Sequence, residues 1–367
     1  MTAFSVGALA RDLVAIDSRS FVSNLPVAER LEAALEGFEI ERLDYRDEAG
    51  VAKRVLVATR GRPGGLAFSG HMDTVPDTGW DEDPFSARVT DRGVLHGLGS
   101  TDMKGPVAAI VTMARSLPET VPVTLLITTD EETTKAGAGV IAERSVLVRR
   151  ARPRGIIVAE PTGMVPVRGH RSHIHFVATA TGVQAHSSSG RGRNANWDLL
   201  PFLAEMKALF ERLRTDPSLH DPAYDPPFSD FNLVLDNHGA AVNVTVPRAT
   251  ACIKFRYSAS VDPSRVATIV RDAASRAGLH FAAIPEGAPP ELPPDHPLVR
   301  LAVVVTGQEA RTAPYGTDAS ELQTLAPCVV LGPGNIDVAH RPGESVRIDE
   351  LEAAIPLFAR LAEQAAP

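Results

Sequence analysis

The 367-residue sequence predicts an α/β fold: a mixed, largely parallel sheet covered by helices, with an α+β unit inserted into it. Three observations carry this. Short apolar runs bounded by glycine or proline recur along the first half of the chain and again near its end, as fully buried strands do. Helical patterns lie between those runs, so neighbouring strands are joined by crossovers and run parallel. Each run also leads into a residue able to hold a metal ion or a proton, and sites in such sheets gather at the carboxyl ends of the strands.

The elements follow in order. "MTAFSVGALARDLVAIDS" reads as an amphipathic helix and not a secretory signal, because it lacks a basic start and Arg11 and Asp12 interrupt its apolar run. "GLAFSG" is a strand leading into His71, and "MKGPVAAIVTMARSL" is a helix following Asp102. "VPVTLLITT" is a strand running into Asp130, Glu131 and Glu132. "GAGVIAERSVLVRR" is expected as one helix, its closing arginines a solvated last turn. "RGIIVA" leads into Glu160, and "APCVVLGPG" leads through a short loop toward His340.

The texture changes near residue 168. "VRGHRSHIHFVATATGVQAHSS" alternates as a strand with one exposed face does. A helix ("NANWDLLPFLAEMKALFERLR"), two strand-like runs ("FSDFNLVLDN" and "ATACIKFRYSAS") and a second helix ("DPSRVATIVRDAASRAG") follow. This predicts an inserted α+β domain over 168–284, splitting a first domain into 1–167 and 285–367. The last part supplies helix "HPLVRLAVVVTG", strand "CVVLG" and helix "IDELEAAIPLFARLAEQ". His173 and His175 share one face of the first inserted strand and read as structural.

Composition limits the function classes. Hydrophobic residues at 44% and charged residues at 22% suit a soluble globular protein. A net charge of −8 argues against a nucleic-acid partner. Two cysteines, Cys252 and Cys328, are too few for a disulfide framework, so a reducing compartment is expected. No run approaches the ~20 apolar residues of a membrane span. The expectation is a cytoplasmic protein with neither membrane nor nucleic acid as partner.

His71, Asp102, Glu132, Glu160 and His340 form a set of two imidazoles and three carboxylates. That is one donor too many for a usual single-ion site and suits two ions roughly 3.5–4 Å apart, bridged by a shared carboxylate. Asp102, in the turn "GSTDMKG", is the best bridge. Mixed nitrogen and oxygen donors suit zinc, with cobalt or manganese as alternatives. Asp73 is placed to accept a hydrogen bond from His71 and set its tautomer. Glu131 and Glu132, adjacent on extended backbone, point opposite ways, so one binds metal while the other faces a metal-activated water as general base. The expected chemistry is hydrolysis of an amide without a covalent intermediate.

The segments "GHMDTVP", "GLGSTDMKG", "TTDEETTKAGA", "AEPTG" and "GPGNIDVAH", in this order and spacing, resemble the signatures of the M20 family of di-zinc peptidases and deacylases over essentially the whole chain. Within it the sequence looks most like the acetylornithine deacetylase branch, with succinyl-diaminopimelate desuccinylases the nearest rival. The resemblance implies one zinc on His71, Asp102 and Glu160 and a second on Asp102, Glu132 and His340, with Glu131 as the base and Asp73 in support. It implies that the inserted domain is a lid that mediates homodimerisation. His186 matches a residue that reaches a neighbour's site to stabilise an oxyanion. Arg256 and Asn243 fall where the family holds a substrate carboxylate and the tetrahedral intermediate, Gly316 and Thr317 match a loop lining the pocket, and Arg171 is a further carboxylate contact. The expected substrate is an N-acyl amino acid of the N-acetyl-ornithine kind. The alternatives are a succinylated substrate, a dipeptide cut by an exopeptidase, and a catalytically silent binding paralogue. "TDMKG", "GTDA" and "EETTKAGAG" depart from the branch's usual "CDMKG", "GTEA" and "EEVGC" and leave the donor set intact.

Overall fold

The structure is a computed structural model and describes residues 4–366. The chain divides into two compact units. The first runs to Gly169 and takes in Pro290–Arg311 and the chain from Thr317; the second is His170–Pro289 with Thr312–Gly316.

The first unit opens with α1 (Val6–Val14), where the Ser5 side chain caps the start by accepting from the Ala8 N–H and Leu9, Leu13 and Val14 are buried. Then come α2 (Leu25–Ala34) and the antiparallel hairpin β1 (Glu39–Arg46) and β2 (Ala52–Arg60). β3 (Leu66–His71) is buried at every position, which is why it reads as a continuous apolar run. Short strands β4 (Arg88–Val89) and β5 (Val94–His96) precede α3 (Gly105–Ser116), whose small residues let it pack buried along most of its length. β6 (Val123–Thr128), α4 (Ala136–Arg144), α5 (Val146–Ala151), β7 (Gly155–Val158) and β8 (Val167–His170) follow.

The second unit contains β9 (Ser172–Thr181), α6 (Ala195–Thr215), β10 (Asp230–Asp236), β11 (Arg248–Tyr257), α7 (Pro263–Arg276) and β12 (His280–Pro285). Its antiparallel sheet has the order β10–β11–β9–β12. The alternation along β9 puts Ile174, Phe176, Ala178 and Ala180 into a separate core with Phe202, Phe255 and Val270.

The chain then continues with α8 (Pro297–Thr306), β13 (Arg311–Ala313, its last two residues counted with the second unit), α9 (Ala319–Leu322), β14 (Cys328–Val330), β15 (Ser345–Arg347) and α10 (Ile348–Gln364). The large sheet has the order β1–β2–β6–β3–β7–β14–β8–β13. β6, β3, β7 and β14 run parallel at its centre, while β2 and β8 pair antiparallel on either side. The mixed, largely parallel α/β sheet is the one expected. No helix among the described residues is long and apolar enough to cross a membrane.

Four local features differ from the sequence expectation. The helix expected over 137–150 breaks at Ser145, where extended backbone lets the Ser145 hydroxyl cap α5. The Glu41 carboxylate on β1 then accepts from Val146 and Leu147 N–H at 3.0 and 3.1 Å, a cap no local pattern announces. The strand expected from 168 is split at Arg171 between two sheets. The sequence expectation contains neither the β1–β2 hairpin nor β12. Glu131 and Glu132 sit not on extended backbone but in a turn opened by Asp130 at φ 62°, whose carbonyl accepts from Lys135 N–H at 2.7 Å.

Candidate metal centre

The four central parallel strands end side by side. His71 closes β3, Glu131 and Glu132 follow β6, Glu160 follows β7, and the loop after β14 carries His340. Asp102 comes from the irregular turn Ser100–Lys104 immediately before α3. Two donor triads result, His71–Asp102–Glu160 and Asp102–Glu132–His340, each with its ligand atoms within 4.8 Å of one another. They share Asp102: His71 Nε2 lies 3.1 Å from Asp102 Oδ1, and His340 Nε2 lies 3.2 Å from Asp102 Oδ2. His340 Nε2 is also 3.0 Å from Glu132 Oε1, and His71 Nε2 is 3.9 Å from Glu160 Oε1.

Orientation comes from behind. His71 Nδ1 lies 3.0 Å from the Asp73 backbone carbonyl, an acceptor only, so Nδ1 carries a proton and Nε2 is the nitrogen turned toward Asp102, where a bound cation would take the place of its proton. The Asp73 carboxylate was expected in that role; its Oδ1 is farther, at 3.5 Å. It instead accepts from Glu131 and Glu132 N–H, both at 3.3 Å, and from Ser20 Oγ–H at 2.9 Å. Asp73 therefore anchors the turn that presents the glutamate pair as well as supporting His71.

The electrostatics describe a centre with surplus negative charge. Burial pushes Glu132 up to about 8, reinforced by the charges of Asp102 and Glu131. Burial likewise holds Glu160 well above its ordinary value and raises Glu131, where Lys135 and His71 pull the other way. Burial would raise Asp102 too, but the two imidazoles hold it below the usual carboxylate range. Hydrogen bonds to Asp102 and Glu132 push His340 up to about 11. His71, which burial alone would lower, is kept well above its ordinary value by Asp102 and Asp73. Two imidazoles cannot balance this many converging carboxylates. Divalent cations can, and the oxygen and nitrogen donor set suits them.

Further residues of the first unit belong to this neighbourhood and were not singled out from sequence. Asp318 is fully buried and accepts from Thr128 Oγ–H, its carboxyl pushed up to about 8 by burial and the Glu131 charge. Lys135 Nζ lies 3.9 Å from Glu131 Oε1. Asp130 is braced by Lys53 Nζ at 2.8 Å and Tyr45 Oη–H at 2.6 Å. Glu344, 1% exposed, accepts from three amides of the Asp102 turn. The sequence signal for Asp130, Lys135 and Asp318 was their place in otherwise matching segments; Tyr45, Lys53 and Glu344 had none. A cavity of about 470 Å³ lined by Ser20, Phe21, Tyr45, Asp47, Glu48 and Glu132 opens beside the centre.

Thr317 is buried in the first unit, and its hydroxyl accepts from Ala319 N–H at 3.1 Å. Gly316, His186, Asn243, Arg256 and Arg171 lie in the second unit. The His186 side chain is exposed, and its Nδ1 receives Ser188 N–H at 3.3 Å and Ser188 Oγ at 2.7 Å. Asn243 is exposed, and its carbonyl accepts from Ser187 N–H at 3.0 Å. Arg256 pairs with Asp230 directly across β10 and β11 at 3.0 Å. Arg171 is buried, donates to the Pro226 carbonyl and stacks 5.3 Å from the Tyr224 ring.

The family model for peptidase family M20/M25/M40 matches residues 67–364. The chain is 34% identical over 369 residues to an acetylornithine deacetylase of Proteus mirabilis, covering 95% of this chain and 92% of that protein. Its fold resembles that of the dipeptidase Dug1p from Saccharomyces cerevisiae at TM-score 0.76 and 15% identity, over 98% and 95% of the two chains. It also resembles a dinuclear metal-binding peptidase of Bacillus subtilis at TM-score 0.64 and 17% identity, over 97% and 96%.

Proposed function

The chain belongs to peptidase family M20/M25/M40, and from that premise we propose that it is a metal-dependent amidohydrolase releasing a small acyl group from the α-amine of an amino acid, N-acetyl-ornithine first among the candidates. The observation that carries the reading is the pair of donor triads meeting at Asp102 beside Glu131. The deacetylase of Proteus mirabilis supports the choice of substrate class.

His71, Asp102 and Glu160 would hold one divalent ion and Asp102, Glu132 and His340 the other, zinc being favoured by the donors. Bound there, the ions would polarise the scissile carbonyl and make water acidic enough to attack at neutral pH. The protein's own part is proton traffic and placement. Glu131 takes one proton from the attacking water as its oxygen bonds to the acyl carbon, then delivers it to the amine nitrogen as the carbon–nitrogen bond breaks. Burial raises the Glu131 carboxyl, which brings its proton affinity closer to what both transfers require. Asp73 keeps that turn in place through the two amides it accepts.

His186 is assigned to oxyanion stabilisation, reaching the centre of a second copy in a homodimer formed through the second unit. Its tautomer supports this: with Nδ1 accepting from Ser188, the neutral ring carries its proton on Nε2, where a donor is needed. Asn243 joins it at the tetrahedral intermediate, Arg256 and Arg171 receive the substrate carboxylate, and Gly316 and Thr317 line the pocket.

The test is amine release by zinc- or cobalt-loaded protein over N-acetyl-ornithine, other N-acyl amino acids, N-succinyl-diaminopimelate and dipeptides. N-acetyl-ornithine is expected to give the highest kcat/KM. A dipeptide or succinylated substrate in first place would keep the hydrolytic chemistry and overturn the substrate assignment. No turnover in protein holding two ions would remove the panel's substrates, and no turnover with no bound metal would remove the mechanism.

A further inference from the structure

We propose that Glu344 is a positioning residue that sets Asp102 and His340 as a unit, and so governs occupancy of the second cation position ahead of the first. The inference rests on reading the two triads as metal ligands. Glu344 lies only four residues beyond His340 yet reaches a turn some 240 positions earlier in the chain. Its Oε1 accepts from Thr101 N–H at 2.9 Å and Asp102 N–H at 3.0 Å, and its Oε2 accepts from Gly99 N–H at 2.9 Å. Its own carbonyl accepts from Gly97 N–H at 3.1 Å. One residue thus fastens the backbone on both sides of Gly99 and at Asp102 itself.

The turn needs such a fastening. Asp102 has φ −124° and ψ 91°, outside helical geometry, so its amide has no place in the hydrogen-bond ladder of α3. A carboxylate offers two acceptor oxygens and enough lone pairs to satisfy three N–H groups, and at 1% exposure no water would replace it. The other end is held as firmly. Glu344 runs directly into β15, whose Ser345 pairs with His96 on β5. His340, by contrast, is half-exposed and stands at φ 58° in a loop, and Gly343 at φ 83° supplies the reversal between it and Glu344. On its N-terminal side His340 follows the short turn Ile336–Val338, whose capping residue Asn335 donates its N–H to Thr101 Oγ1 at 3.2 Å. On its C-terminal side the rigid point is the Glu344 anchorage, the same group that holds Asp102.

The consequences for the two positions differ. His71 and Glu160 sit at the ends of β3 and β7, supported by the sheet, so the first triad owes only Asp102 to Glu344. The second triad owes it both Asp102 and His340. Loss of the carboxylate should therefore loosen the second ion more than the first.

The test uses Glu344→Gln, which keeps the shape but turns one acceptor oxygen into an NH2 that faces backbone N–H. Zn2+ and Co2+ binding would be followed by calorimetry and by metal content after dialysis, alongside circular dichroism and thermal unfolding. Mutating a group that holds a metal's ligands from behind typically costs about 10–100-fold in affinity, so the second ion should weaken by about tenfold or more, while the first changes by less than about threefold. Glu344→Asp, which keeps both oxygens on a shorter stem, should fall between. His340→Ala gives the reference signature of a protein that has lost the second ion. Both ions bound within about threefold of wild type in the Gln variant would overturn the proposal. Equal loss of both ions in folded protein would overturn the coupling to His340. If the wild type itself fails to bind two ions, or His340→Ala leaves both in place, the ligand reading fails instead. Should the Gln variant not fold, hydrogen exchange of the wild-type segment 97–104 decides: protected amides at Gly99, Thr101 and Asp102 in metal-free protein are expected, and unprotected ones would overturn it.

Discussion

Replacing Asp73 by asparagine probes the organisation of the centre most directly. The fully buried carboxylate receives Ser20 Oγ–H at 2.9 Å and the amides of Glu131 and Glu132 at 3.3 Å, and lies 3.5 Å from His71 Nδ1. Asparagine keeps one acceptor oxygen, so its NH2 must face one of the two turn amides. A hydrogen bond to a charged group contributes about 1.5–3 kcal/mol, and the 3.3 Å lengths place these at the lower end. Leaving one buried amide without an acceptor adds about 1–3 kcal/mol, some of it relieved by relaxation of the turn. If about 3 kcal/mol of this falls on the catalytic arrangement, kcat/KM drops roughly 100-fold at 1.36 kcal/mol per decade. Metal affinity should fall as well, by about 10-fold, because the negative charge beside His71 is gone. The assay is kcat/KM on the best substrate of the panel, with bound metal measured on the same preparation. An Asp73→Asn protein within about threefold of wild type on both would refute the assignment of Asp73 as anchor of the turn and of His71.

Two further outcomes follow from the same geometry. Glu131→Gln should lower kcat by about 10²–10⁴-fold with bound metal near normal, since it removes a proton carrier and not a donor of either triad; metal loss would exchange the roles of Glu131 and Glu132. In metal-free protein, burial and then neighbouring carboxylates raise Glu132 and Asp318 to about 8 and Glu344 to about 7, so between pH 5 and 7 the folded chain binds more protons than the unfolded one. The stability these groups add is present below their unfolded values and lost as pH rises through the folded ones; His340, raised to about 11, acts in the same sense above pH 6.5, and Lys104, lowered to about 7 by burial, opposes only above pH 7. The unfolding free energy of the metal-free protein should therefore fall from pH 5 to 7, by about 1.4 kcal/mol per pH unit for each net proton, and its melting temperature with it, zinc restoring more at higher pH because it binds deprotonated ligands. A flat or rising melting temperature across that range would contradict the charge balance described for the centre.

The sequence by itself determined the class of fold and pointed to the residues that the fold brings together as candidate donors. β3, β6 and β7 are buried at every position and mostly apolar because both faces of a central parallel strand are covered, so they announce themselves without tertiary information. Their ends are fixed with them, and that is why His71, Glu132 and Glu160 were legible as candidate ligands. Asp102 and His340, in irregular turns, were legible only as parts of the set of motifs.

What tertiary structure alone decided is the set of contacts made by residues far apart in the chain. The break between α4 and α5 depends on Glu41, over 100 positions earlier, supplying the cap. The split at Arg171 depends on two sheets competing for one alternating run, which periodicity cannot distinguish. The turn at Asp130 sends Glu131 and Glu132 to their places through two amides that find Asp73, a pairing of backbone with side chain that leaves no trace in residue spacing. Glu344 is the clearest instance. Its chemistry lies in accepting three main-chain N–H groups, and main-chain groups are the same in every sequence, so only the folded backbone could show which ones it meets.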